Sequence, residues 1–292
     1  MGPDLRLAIV GAGVMGRNYL RAARTAVFPV SGIFDIDTAR AQSAAGEYGC
    51  AVLNDLSNID AAVIAVPTAA HAGTALPLLQ KGVHCLIEKP FAATEAECRQ
   101  LMDTAAIARA VLQVGHIERF NPAIEQLLER EIAPEDIKAL TARRMGPASA
   151  RVTDVSVVVD LMVHDLDIVL ALKRAPVTRV SASGSRDHAE AILTFSDGAV
   201  ATLTASRTAS ERVRDLSVVT GDGEHRVDYI AKSYAGAHEM PVVYAGDALG
   251  AELAHFIGCI HGKLRPRVDG EAGLAALKLA WRIEAALEGQ GK

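Results

Sequence analysis

Short apolar runs alternate with longer helical patterns through the first 118 residues. The runs are LRLAIV (5–10), VSGIFDI (30–36), AAVIAV (61–66), HCLIEK (84–89) and AVLQVGHI (110–117). Between them lie stretches such as HAGTALPLLQKG and TEAECRQLMDTAAIA, which read as helices. Thr94 with Glu97 three residues on is a capping-box signal for a helix start. Continuously apolar strands separated by helices predict a parallel sheet covered on both faces. Right-handed crossovers make that a doubly wound, Rossmann-type fold.

The pattern changes after about residue 120. NPAIEQLLEREI and DLMVHDLDIVLALKR read as helices. Then VTRVSASGS, HAEAILTFSDGAVATLTASRT and RDLSVVTGDGEHRVDYI read as strands. Ser196-Asp197-Gly198 and Gly221-Asp222-Gly223 are hairpin signals between them. The second half therefore predicts a mostly antiparallel sheet with helices on one face, an α+β domain. The tail returns to helix in GAELAHFIGCIHG and EAGLAALKLAWRIEAALEG. The expected fold class is α/β, with domains at 1–118 and 119–292. The C-terminal helices over 248–288 are candidates to pack back on the first domain.

Composition narrows the class. At 292 residues and 50% apolar, the chain is long enough for two domains with sizeable cores. A net charge of −5 argues against non-specific nucleic-acid binding, so no nucleic-acid partner is expected. Cys50, Cys85, Cys98 and Cys259 form no CxxC pair and no zinc spacing, so reduced thiols and no metal are expected. MGPDLRLAIV lacks a signal-peptide core, and no run reaches the roughly 20 apolar residues that span a bilayer. A soluble, cytoplasmic protein with no membrane partner is the expectation.

The first chemical motif is AIVGAGVMGRNYL. Gly11, Gly13 and Gly16 follow a strand and open a helix, the context in which G-x-G-x-x-G binds a dinucleotide. Gly11 permits the tight turn, Gly13 admits the pyrophosphate and Gly16 lets helix and strand pack. The intervening Val14 and Met15 join the cofactor-binding set. The phosphates sit on the helix N-terminus. Asp35 ends the second strand, where a carboxylate accepts hydrogen bonds from ribose hydroxyls and repels a 2′-phosphate. NAD is therefore favoured over NADP.

Ligands of a doubly wound sheet bind beyond the carboxyl ends of its strands. AVPTAAHAG brings Pro67, Thr68 and His71 to that rim, and EKP brings Glu88 and Lys89. A partly desolvated lysine there stabilises an alkoxide or gives up a proton; the bland alternative is a surface ion pair. Pro90 turns the chain off the strand, with a cis bond to Lys89 open to it. DLMVHDLD offers Asp160 and His164 at i, i+4 on one helical face, a carboxylate able to orient an imidazole base. Asp167 is a second orienting candidate, and a capping Asp beside an incidental His is the bland reading. Arg119 and Asn121, with Phe120, begin the second domain as substrate contacts or simply as a helix start with Asn121 as cap.

Taken together, the strand–GAGVMG–helix opening, EKP, DLMVHDLD and the helical tail resemble the Gfo/Idh/MocA oxidoreductases over nearly the whole chain. The resemblance implies an NAD-binding Rossmann domain and a substrate-binding, oligomerising domain with an open-faced sheet. It implies a catalytic Lys89 and an Asp160–His164 pair. DVSVVVDLM departs from the glycine-rich run that many members carry there. More narrowly, VGHIERFNPAIEQL with VVVDLMVHDLDI resembles the UDP-N-acetylglucosamine 3-dehydrogenase branch. That implies NAD-dependent oxidation of a sugar 3-hydroxyl to a 3-keto sugar, with Lys89, Arg119, Asn121, Asp160 and His164 meeting the substrate. Either Lys89 or His164 serves as base. Arg143, Arg144, Arg151 and Arg207 are candidate cations for a pyrophosphate. A dehydrogenase for another sugar, a UDP-sugar acid or a cyclitol is the alternative, and a non-catalytic NAD sensor is the alternative of another class. A homodimer or homotetramer through the second sheet is expected.

Overall fold

The computed structural model describes residues 5–148 and 155–289. By its internal contacts the chain divides into two units, 1–117 with 247–274, and 118–246 with 275–292.

The first unit opens with β1 (Leu7–Val10), α1 (Val14–Thr25), β2 (Gly32–Phe34) and α2 (Thr38–Tyr48). It continues with β3 (Ala61–Ile64), α3 (His71–Gln80), β4 (His84–Glu88), α4 (Glu95–Ala108) and β5 (Leu112–Gly115). All strands are parallel, in the order β2-β1-β3-β4-β5. Every residue of β1 and β3 is buried, as a sheet covered on both faces requires. The strands are shorter than the apolar runs. VSGIFDI pairs only over Gly32–Phe34, because Asp35 and Ile36 leave the sheet and Ile36 points to solvent. The capping box forms: Thr94 accepts from the Glu97 amide and the Glu97 carboxylate accepts from the Thr94 amide.

The second unit holds α5 (Pro122–Glu129) and β6 (Ala139–Met145), then α6 (Val163–Lys173). The strands β7 (Val177–Gly184), β8 (His188–Phe195), β9 (Val200–Ser206) and β10 (Val213–Val219) follow. The last are β11 (Glu224–Asp228), β12 (Ser233–Ala235) and β13 (Val242–Val243). The eight-stranded sheet runs β13-β12-β11-β10-β6-β9-β8-β7, antiparallel except for β6 with β9. In β8 the residues Ala189, Ala191, Leu193 and Phe195 are buried while Glu190 and Ile192 face out, so one sheet face is core and the other open. The hairpin glycines Gly198 and Gly223 take φ of 86° and 144°, a region other residues avoid.

Two helices follow, α7 (Ala248–Ile260) and α8 (Gly270–Gly289). Leu249, Leu253 and Phe256 of α7 enter the core of the first unit beside Tyr19, Leu20 and Ala23 of α1.

The segment before α6 differs from the sequence expectation. DLMVHDLDIVLALKR is not α-helical throughout: Val158–Met162 forms a π-helical turn before α6. Val157, Val158 and Val159 are all buried there, and such β-branched side chains crowd a normal helical turn. Among the described residues no helix is long and apolar enough to cross a membrane, and no group of three or more His, Cys, Asp or Glu is arranged to hold a metal.

Candidate active site

The three glycines after β1 are under different constraints. Gly11 has φ of 106°, and a Cβ there would stand 2.5 Å from the Ala65 carbonyl oxygen. A Cβ on Gly16 would stand 1.8 Å from the Gly11 oxygen. The chain's own backbone demands both. Gly13 is otherwise: a Cβ would meet nothing within 4 Å. It precedes α1 with no side-chain cap, and Val14 beside it is 64% exposed, while Met15 packs against the core. The first amides of α1 are thus open to an anion, which the helix dipole favours. Asp35, one residue past β2, accepts from the Ala12 amide at 2.6 Å and from the Asp37 amide at 2.8 Å. A glycine without an internal reason, open helical amides and a backbone-oriented carboxylate fit the pyrophosphate and ribose of a dinucleotide.

The ends of β3 and β4 meet through His71. Its Nε2 lies 3.0 Å from the Val66 carbonyl and its Nδ1 3.0 Å from the Pro90 carbonyl. The ring is buried, and burial holds its pKa below the ordinary histidine value against the pull of those carbonyls. His71 is therefore inside the rim, bracing the segments that carry Pro67, Thr68 and Lys89. The Lys89–Pro90 bond is cis. Lys89 is half-buried, and its amide donates to Glu88 Oε2 at 3.1 Å. Glu88 is buried and lies against Gly115, where a Cβ would stand 3.3 Å from the Glu88 Oε1.

In the second unit, Asp160 sits in the π-helical turn, 3.6 Å from Arg207. Arg207 also pairs with Asp187 at 2.6 Å and donates to the Val155 carbonyl. His164 is the second residue of α6 and 9% exposed. Carboxylates beyond it are tied down. Asp165 receives a two-pronged contact from Arg144 at 2.8 and 2.9 Å, and Arg144 also reaches Glu118 at 2.7 Å. Asp167 receives Arg119 at 2.6 and 3.0 Å. Asp167 is thus engaged by Arg119. Asn121 caps α5 through the Ala123 amide, and its NH2 group donates to Glu118 and to the Tyr229 carbonyl.

Of the arginines considered for a pyrophosphate, Arg144 is fully buried in its ion cluster beneath the Tyr229 ring and is closed to a ligand. Arg143 points out and pairs with Asp215. Arg207 is committed as above, and Arg151 lies outside the described residues.

This architecture has known counterparts. The model of an oxidoreductase family with an NAD-binding Rossmann fold matches residues 5–116, and that of the GFO/IDH/MocA C-terminal domain matches residues 136–224. UDP-N-acetylglucosamine 3-dehydrogenase from Acidithiobacillus ferrooxidans is 32% identical over 97% of both chains. The chain belongs to the GFO/IDH/MocA oxidoreductase family. A solved structure of that Acidithiobacillus enzyme superposes with a TM-score of 0.92 over 97% of this chain and 98% of its own. Inositol 2-dehydrogenase 2 from Paenarthrobacter aurescens is 28% identical over 73% of this chain and 68% of its own. A dehydrogenase from Bordetella pertussis shares the fold, with a TM-score of 0.85 at 19% identity. This GFO/IDH/MocA chain is a dehydrogenase whose first unit is an NAD-binding Rossmann domain.

Sequence reasoning passed over two groups in this family member. Tyr19 and Glu252 are completely buried, and the Tyr19 hydroxyl touches both Glu88 and Glu252. A signal for Glu252 existed. Leu249, Glu252, Leu253 and Phe256 fall at i, i+3, i+4 and i+7, so the carboxyl lies on the apolar stripe of α7. Arg144 had the same signal. It follows Leu140 and Ala142 on the inward phase of β6, while Arg143 points out.

Proposed function

We propose that the chain oxidises the 3-hydroxyl of UDP-N-acetylglucosamine to a 3-keto group, using NAD. The observation that carries this reading is the 32% identity to the Acidithiobacillus UDP-N-acetylglucosamine 3-dehydrogenase across 97% of both chains, with the fold retained. Bound NAD supplies a nicotinamide that accepts a hydride. Gly13, Val14, Met15 and Asp35 meet its adenosine and pyrophosphate on a turn that Gly11 and Gly16 keep tight, and Pro67 and Thr68 line its approach to Lys89, which Glu88 supports through the Lys89 amide. His71 supports that rim from within.

The reaction needs a cation at the hydroxyl oxygen and a base for its proton. Lys89 provides the cation, through a charge-assisted hydrogen bond to the developing alkoxide. His164 takes the proton, with Asp160 keeping its surroundings polar. An exchange of these two roles is the variant of the mechanism that pH–rate profiles separate. Arg119 and Asn121 are the substrate-side contacts of this reading, Arg119 held by Asp167 and Asn121 at the head of α5. A homo-oligomer through the open face of the second sheet and a cytoplasmic site of action, where NAD and nucleotide sugars are found, complete the proposal.

The test is NADH formation with UDP-N-acetylglucosamine, a UDP-sugar acid, free sugars and myo-inositol. Turnover with the first compound well above the others is expected. Preference for inositol would favour the second reading, which the 28% identity to an inositol 2-dehydrogenase motivates. No turnover with any of them would sink the substrate assignment.

A further inference from the structure

The Tyr19 oxygen lies 2.9 Å from Glu88 Oε1 and 2.8 Å from Glu252 Oε2, and all three side chains are buried within the first unit. A phenol has one hydrogen. It donates to one carboxylate only. The second contact is a hydrogen bond only if that carboxyl carries a proton of its own; otherwise lone pairs oppose each other. Two buried carboxylates so close also resist ionising together.

The surroundings decide which one is neutral. Glu88 receives a second donor, the Lys89 amide, and donors favour the ionised form. Glu252 has no such help. Its Oε1 has no hydrogen-bond partner among the described residues, and Gln113 from β5 turns its NH2 to the Glu252 backbone carbonyl at 3.5 Å. The titratable groups acting on Glu252 are Glu88 from β4 and Tyr19 from α1. Burial first, and the Glu88 charge second, push its pKa well above the ordinary carboxylate range; only a hydrogen bond donated by Tyr19 to Glu252 would oppose them.

We propose that Glu252 is held as a neutral carboxylic acid and is a positioning residue for the end of β4: its Oε2–H donates to Tyr19, the Tyr19 O–H donates to Glu88, and Glu88, the single anion of the three, holds the Lys89 amide. The functional half of this rests on the role proposed for Lys89; the proton assignment does not. The cluster has no exposed end on the α7 side, where Glu252 is completely buried, so it stores a proton rather than passing one to solvent.

Infrared difference spectroscopy tests the assignment directly. At neutral pH the parent chain should show the carbonyl stretch of a protonated carboxylic acid, which Glu252→Gln removes. Should Glu252→Gln fail to fold, the parent alone suffices: the band must be present at neutral pH and vanish on alkaline titration. The sign of the stability effect follows. A carboxyl whose folded pKa is raised contributes stability that is complete below its unfolded pKa of about 4.3 and is lost as pH rises through the folded value. The parent melting temperature should therefore fall with rising pH more steeply than that of Glu252→Gln.

Tyr19→Phe cuts the chain in the middle and should lower kcat about tenfold or more, with the KM for NAD unchanged. A missing band, or one that survives in Glu252→Gln, overturns the proton assignment. An unchanged kcat in Tyr19→Phe overturns the positioning role. A band present while Lys89→Ala turns over normally supports the proton assignment and overturns the reading of Lys89 instead.

Discussion

Single residues in this protein separate cleanly into those the chain needs for itself and those it does not. Gly16 is a packing glycine, with the Gly11 oxygen in the way of any Cβ, whereas Gly13 faces open space. Gly16→Ala should therefore lower the melting temperature severely. Gly13→Ala should melt close to the parent yet raise the KM for NAD, because its methyl intrudes only on what binds there. Equal melting losses in both variants would count against the assignment of Gly13 to cofactor approach. Lys89 and His164 are tested the same way. Lys89→Ala and His164→Ala should each lower the chemical rate by about 10²–10⁴, the usual worth of a positioned acid or base, and leave NAD affinity intact. Near-normal turnover in both, measured by single-turnover NADH formation, would remove them from the chemistry. The positions of the glycines at the head of α1 and of EKP at the end of β4 were legible because spacing and strand pattern carry them. The destination of the Tyr19 hydroxyl was not, since it depends on residues 69 and 233 positions away.

Elements were legible where periodicity and caps agree. The capping box at Thr94, the cap and proline that open α5 and the alternation along β8 all follow from sequence rules. The π-helical turn at Val158–Met162 does not, because moving one hydrogen bond from i−4 to i−5 leaves the apolar pattern almost unchanged. It was also hard to see how α6 is fastened. Asp165 and Asp167 look like solvent-facing charges in DLMVHDLD, but both are buried and each is gripped by an arginine from another element. The fastening matters because His164 precedes Asp165 on the same turn. Removing Arg144 leaves Asp165 and Glu118 as buried, unpaired charges, a loss of about 3–5 kcal/mol. Arg144→Met should show that loss in urea unfolding, and adding Asp165→Asn should recover part of it by removing one orphaned charge. A loss below about 1 kcal/mol would mean that solvent reaches the cluster.

At the scale of the whole chain, the tail is the segment whose helices were candidates to pack back on the first domain. A cut near residue 118 describes where one sheet ends, yet 247–274 groups with the first unit. Nothing in the local pattern of GAELAHFIGCI says which core its apolar stripe will fill; only the complementary surface on α1 does. Leu249, Leu253 and Phe256 are each 2% exposed or less. Burying such side chains is worth about 1.5–3 kcal/mol apiece. Together they match a large part of the roughly 5–15 kcal/mol by which a domain is stable at all. A chain stopped after Gly246 retains every strand of the Rossmann sheet and loses this helix, along with Glu252. It should melt without a cooperative transition in its first unit, bind a hydrophobic dye and fail to be protected by NAD. A truncated chain that still gained thermal stability from NAD would show that α7 is an ornament on that core rather than part of it.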